Sequence, residues 1–141
     1  MIRQPLVDSF TRAVFSPDPD LAMAALLIAR VEYPALDVAP YLDQLDALGR
    51  EAARRLAHVS AAVNAPPRVD PDRYARVMTL NAYLFGELQF VGNETRYDDP
   101  RNSFLNEVLD RRTGIPITLA LLYMEVARRA ASHPSASSWS R

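Results

Sequence analysis

Cysteine is absent from the 141 residues of the chain. That excludes a disulfide scaffold, a thiolate zinc site, an iron–sulfur cluster and a cysteine nucleophile. Histidine is scarce too: His58 and His133 are too few for an all-histidine metal centre, so no metal or cofactor is expected. There is no surplus of positive charge, with 16 Lys and Arg against 17 Asp and Glu and a net charge of −1. Phosphate neutralisation needs such a surplus, so no nucleic-acid partner is expected. Long apolar runs are missing as well. The longest covers residues 21–29, closed by Asp20 and Arg30, whereas a membrane span needs about 20 residues. The start, MIRQPLVDSF, carries Asp8 inside what a signal peptide would keep apolar, so no export signal and no membrane partner are expected. Cytoplasm is the expected location.

What is present suits one ordinary globular domain. Of the residues, 49% are hydrophobic and 23% charged, and a chain of this length can bury about 68–70% of its unfolded surface without staples. Proline and its neighbours punctuate helices. Asp18-Pro19-Asp20 opens one over residues 21–33, with Asp18 as the expected cap and Pro19 in the first turn; Pro34 stops it. Asp37 and Pro40 open a second, which carries Tyr41, Leu42, Leu45, Leu48, Ala52, Leu56 and Val59 at spacings of three and four. Gly49 weakens its continuity by about 1 kcal/mol relative to alanine. A linker follows at 64–69, containing Pro66-Pro67. Asp70-Pro71 repeats the cap-then-proline signal and starts a third helix, ended by Gly92-Asn93. After a polar loop, Asn102 or Ser103 caps a short helix over 104–112, which Gly114 closes. Pro116 opens the last helix, 117–130. No strand-like alternation longer than four residues occurs. The serine-rich end, 131–141, with the lone Trp139, reads as a disordered tail. The expectation is a mainly α fold of about five to six helices over residues 1–130.

Two blocks carry a family resemblance: LNAYLFGELQFVGN from Leu80, and RYDDPRNSFLNEVLDRRTGIPITLALLYMEVARR from Arg96. They resemble the N-terminal region of the SirB1 family, within the transglutaminase-like superfamily, and DPRNSFLNEVLDRRTGIPI is the most specific stretch. The upstream DLAMAALLIARVEYPALDVAPYLDQLDAL is similar to that family's leading helices. Asp98 stands where the family usually has Tyr, Gln89 where it has Gly, and Ala131 where a Gly-Leu turn leads into β-strands. The resemblance implies the helical part of a larger α+β domain, with the sheet missing and the reading frame truncated after the central helix.

A transglutaminase-like enzyme needs a thiolate at the start of its central helix, activated by a His with an Asp behind it. Here that helix start is Gly114-Ile115-Pro116-Ile117-Thr118. Thr118 is a weak substitute, and a hydroxyl at that point readily bonds local backbone. The two histidines match no such role: His58 sits near a helix end, where the dipole favours a cation, and His133 lies in the tail. The candidate binding residues are Asn93, Tyr97, Asp99, Arg101 and Asn102 in the polar loop, with Arg111 and Arg112 behind it. An arginine pair there could clamp an anion; equally, Asp99 could cap a helix or pair with Arg111 and Arg112 and hold the loop in place. Asp98 and Asp99 point apart and make a poor metal site.

The last helix carries Thr118, Leu122, Glu125 and Arg129 on one narrow stripe and apolar residues elsewhere, as a central core helix does. Without a sheet its apolar surface needs another cover. The sequence therefore points to a non-enzymatic protein-interaction or regulatory module. Its partner is another protein or a second copy, docked through the last helix near Leu119, Leu122, Tyr123 or Val126. A hydrolase or acyl-transfer enzyme with a non-cysteine nucleophile, or a fragment without independent function, are the alternatives.

Overall fold

A computed structural model describes residues 3–133. Among them are six α-helices, with a single pair of two-residue strands, so the fold is mainly helical. The first helix, α1 (Gln4–Val14), has Pro5 in its first turn and packs on α2. Helix α2 (Leu21–Glu32) is capped by Asp20, whose carboxylate accepts from the Met23 N–H at 3.0 Å. The expected cap was Asp18. Asp20 takes the role because it immediately precedes the first helical residue, Leu21, which leaves Pro19 outside the helix. Ala22, Leu26 and Ala29 are fully buried along its inner face.

Helix α3 (Ala39–Leu56) starts with Pro40 in its first turn and ends before Val59. Asp37 accepts from the Ala39 N–H at 3.2 Å, although Val38 holds the cap position. Gly49 does not interrupt the helix. It is where α3 meets α6 (Pro116–Ser132), and a Cβ built there would lie 2.5 Å from Arg129 Cβ. Glycine lets the two helices approach at that point.

Residues 57–70 form the connection to α4 (Pro71–Asn81), a longer linker than 64–69. Asp70 caps α4 as expected, accepting from Asp72 N–H at 2.9 Å. The helix then widens into a π-helical turn, Ala82–Glu87, in which Leu88 N–H donates to the Tyr83 carbonyl at 3.0 Å. Arg55 of α3 clamps this turn. It forms a bidentate ion pair with Glu87, and its guanidinium lies 4.3 Å above the Tyr83 ring.

The turn ends at Gln89, which takes the left-handed conformation with φ 59°. Gly92 is not the terminator: Val91–Gly92 is strand β1, parallel to β2 (Thr113–Gly114), with Val91 opposite Thr113 and Gly92 opposite Gly114. Such short strands leave no alternation to read. Between them lie a 3-10 turn, Pro100–Ser103, and α5 (Leu105–Arg111). Arg112, at φ 53°, ends α5 in place of Gly114. Phe104 occupies the cap position of α5 without a side-chain bond, so neither Asn102 nor Ser103 caps it.

Helix α6 runs on through Ala131 and Ser132, beyond the expected end at 130. The rest of the expected tail, including Trp139, lies outside the described residues. The narrow stripe of α6 is its buried side. Thr118, Leu122 and Glu125 are covered together with Val126 and Ala130, while Ile117 and Met124 are 72% and 56% exposed. Leu122 and Val126 are fully buried in the core with Leu26, Leu45 and Leu84, so they cannot form the outer contact expected of them. Polar Glu125 is tolerated inside because Arg128, at 2.9 Å, and Arg129 both pair with it, and Arg129 also pairs with Asp46 at 2.9 Å.

Candidate functional site

The polar loop is assembled around Asn102, which is fully buried. Proline at position 100 starts the 3-10 turn, and the Asp99 carboxylate caps it by accepting from the Arg101 N–H at 3.0 Å. The turn points the Asn102 amide inward. Its Nδ2 donates to the carbonyls of Arg96 (2.8 Å) and Tyr97 (3.2 Å), while its Oδ1 accepts from Asn93 Nδ2 at 3.1 Å. Both amide hydrogens and the carbonyl oxygen of the side chain are therefore bonded, three of its four hydrogen-bonding valences. Asn93 is fixed in turn. Its N–H donates to the Gly114 carbonyl at 3.0 Å through the strand pair, and its Oδ1 accepts from Arg96 N–H at 2.9 Å.

Thr118 joins this knot from α6. Its hydroxyl donates to the Asn102 carbonyl at 2.7 Å and accepts from Ile115 N–H at 3.1 Å. Gly114 makes room for it, since a Cβ there would come within 2.7 Å of Thr118 Oγ1 and 3.1 Å of Val108. Thr118 thus occupies the helix start where the resemblance places a nucleophile, but its hydroxyl is buried and bonded at both ends.

The arginines divide. Arg101 grips Asp99 through Nε and Nη2, the latter at 2.7 Å, and Arg111 approaches the same carboxylate at 3.8 Å. The Arg101 side chain, then its backbone N–H, hold the Asp99 carboxyl down to about 2. Arg112 is not part of this group, contrary to its expected pairing with Asp99. The left-handed turn at its own backbone sends it to the Leu88 carbonyl, 3.0 Å away, near the Phe90 ring. The Tyr97 side chain is exposed and enters the knot only by its carbonyl. Two buried side-chain atoms of α5, Asn106 Oδ1 and Arg111 Nη1, have no hydrogen-bond partner.

His58 lies exposed beyond the end of α3, and His133 holds the cap position at the end of α6. Among the described residues no group of three or more Asp, Glu or His side chains could hold a metal, and no helix is long and apolar enough to cross a membrane.

A second feature lies on the outer side of α6. Phe85, from the π-helical turn, stacks on Tyr123 with centroids 6.1 Å apart and planes 11° from parallel. Beside them runs an open groove of about 390 Å³, lined by Pro116, Leu119, Ala120 and Met124 as well as these two rings. Its apolar residues were legible along α6, but Phe85 was not assigned to the same surface. The extra residue per turn of a π-helix changes which side chains face outward, and the 3.6-residue pattern carries no sign of it.

The transglutaminase-like superfamily matches residues 39–133, which include the clamp, the strand pair and all of α6. A UPF0162 protein of Xylella fastidiosa (strain Temecula1) is 37% identical over 131 residues, covering 92% of this chain and 43% of the relative. The corresponding UPF0162 protein of strain 9a5c is 41% identical over 109 residues, 77% of this chain and 35% of its own length. The mouse F-box only protein 21 shares 46% identity over 50 residues, 36% of this chain and 8% of that protein. The chain thus spans less than half the length of these relatives. No solved structure matches it. The chain belongs to the transglutaminase-like superfamily.

Proposed function

We propose that this chain is a non-catalytic, SirB1-like member of the superfamily, a cytoplasmic module that acts by binding another polypeptide and so serves a regulatory role. One observation carries this reading: the hydroxyl at the start of α6 is buried and committed to Asn102 and Ile115. An alcohol becomes a nucleophile only with a strong base in hydrogen-bond reach, and both neighbours of Thr118 Oγ1 are backbone groups. The lack of any cysteine supports the same conclusion. Arg101 is committed to the Asp99 carboxylate through Nε and Nη2, which favours a structural role for the loop over anion capture.

The test is incubation of the purified chain with generic amide and ester substrates. Turnover at the level of buffer is expected. Turnover that survives repurification and disappears in Thr118→Val would establish the alternative, a hydrolase or acyl-transfer enzyme with a non-cysteine nucleophile.

A further inference from the structure

We infer that the cleft between the middle of α3 and the end of α6 binds a small soluble phosphate compound through Arg50, Arg128 and Arg129. The site lies at the far end of α6 from Thr118, so it holds whether or not that hydroxyl reacts. It adds a small-molecule ligand to the polypeptide-binding reading above.

The helix crossing builds the site. Gly49 lets α3 and α6 close together, which sets Arg50 beside Arg128 and Arg129 around a cleft of about 390 Å³. Glu125, only 2% exposed, holds two of these arginines from beneath. Its Oε2 accepts from Arg128 Nε and Nη2 at 3.2 and 2.9 Å, and from Arg129 Nη1. Asp46 accepts from Arg129 Nε at 2.9 Å. These bonds fix both guanidiniums yet occupy only part of each. No described residue accepts from Arg128 Nη1 or Arg129 Nη2, and Arg50 has no hydrogen bond or ion pair with any described residue. Arg101 differs, since its Nε and Nη2 are both given to Asp99. Donors fixed before the ligand arrives lose less entropy on binding it.

Charge and shape decide the ligand. Three guanidiniums line the cleft against one carboxylate, Asp46, on a chain whose net charge is −1. Asp18 and Asp20 lie near Arg128 but form no ion pair with it. Two carbonyls at the end of α6 are already covered: the Ser132 hydroxyl donates to that of Arg128 at 3.0 Å, and the His133 N–H to that of Ala130 at 3.2 Å. A carboxylate is planar and is satisfied by a single arginine fork, as Glu51 is by Arg54 at 2.9 and 2.6 Å. Guanidiniums arriving from two helices instead address oxygens in several directions, which a tetrahedral phosphate supplies. No aromatic or apolar side chain lines the cleft, so it has no platform for a nucleobase and no cover for an acyl chain. Recognition by arginine alone in an open cleft is weak, with dissociation constants of about 0.1–1 mM.

Isothermal titration calorimetry of the whole chain in about 0.15 M salt reads the binding, with pyrophosphate, glycerophosphate, adenosine monophosphate and acetate as probes. Pyrophosphate and glycerophosphate are expected to bind, and acetate is not. Arg50→Ala and Arg128→Gln are each expected to weaken binding about tenfold or more. Arg73→Ala, which removes an arginine 83% exposed on α4, is expected to leave it unchanged. The melting temperature of Arg50→Ala without ligand is expected to match the parent, because that side chain bonds nothing. Pyrophosphate is expected to raise the melting temperature of the parent and not of Arg50→Ala, since a ligand joining α3 to α6 binds only the folded chain. No binding of either phosphate probe, binding indifferent to Arg50→Ala, or acetate bound as tightly as glycerophosphate overturns the inference. Adenosine monophosphate bound far more tightly than glycerophosphate overturns the exclusion of a base. Capture by phosphatidic acid vesicles without binding of free glycerophosphate overturns the soluble ligand.

Discussion

The Thr118 hydroxyl donates to the Asn102 carbonyl across 2.7 Å and so fastens the first turn of α6 to the loop between the two short strands. Both residues are buried, and each has further bonds: Thr118 to Ile115, and Asn102 to Asn93, Arg96 and Tyr97. The loop, β2 and the start of the central helix behave as one mechanical unit.

Removing the hub is therefore costly. Asn102→Ala leaves the carbonyls of Arg96 and Tyr97 and the Asn93 amide without their partner, at about 1–3 kcal/mol for each group kept from water. A loss of about 3 kcal/mol in urea unfolding is expected, with Asn102→Asp failing to restore it because the carboxylate has no N–H to donate. Unfolding unchanged from the parent chain would contradict the hub.

Gly49 offers a sharper test, because two effects oppose each other there. Alanine in a helix interior is favoured over glycine by about 1 kcal/mol. Against that, the added Cβ meets Arg129 Cβ at 2.5 Å, and Arg129 is held by Asp46 and Glu125. Overpacking of this kind costs about 1–3 kcal/mol, so Gly49→Ala is expected to lower the melting temperature. A higher melting temperature would mean that the helices have room to separate.

Acid stability follows from two carboxylates near the surface. Asp99 is held down to about 2, chiefly by the Arg101 side chain, and Glu51 to about 2 by Arg54 and then Arg55. A carboxyl whose pKa is lower in the folded state contributes stability that is complete above its unfolded value, about 4. That contribution is gone by about pH 2. Urea midpoints are expected to fall across this window, less steeply at high salt, where exposed charges are screened. Asp99→Asn is expected to flatten part of the fall. Midpoints that hold constant from pH 5 down to about 2 would contradict the pairing.

The helix starts at Pro71 and Pro116 were legible because proline declares a first turn through its fixed φ and missing N–H. Asp70 fits the same rule, while Asp18 misled because Asp20 is an equally good cap placed nearer the helix. Helix α1 was not anticipated. Its apolar residues are mixed with Gln4, Asp8, Ser9, Thr11 and Arg12, and none of its residues is buried. The strand pair and the ends at Gln89 and Arg112 were hidden for another reason. Long-range pairing holds non-glycine residues in left-handed backbone there, against the local preference for Gly92 and Gly114. Arg111 and Arg112 were the partners expected for Asp99; Arg111 approaches it only to 3.8 Å, and the direct grip comes from Arg101, two residues away. The union of Thr118 with Asn102, 16 residues apart, required the tertiary fold.

The account's central claim is that Thr118 holds the fold together and performs no chemistry. Thermal unfolding of the parent chain, Thr118→Ser and Thr118→Val tests it most directly when amide and ester turnover is read on the same samples. The account predicts a loss of about 1–3 kcal/mol for valine, which leaves the Ile115 N–H and Asn102 carbonyl without the hydroxyl, and a smaller loss for serine. It also predicts turnover at the buffer level in all three. Unchanged melting of Thr118→Val, coupled to the loss of a measurable hydrolysis present in the parent chain, would contradict it.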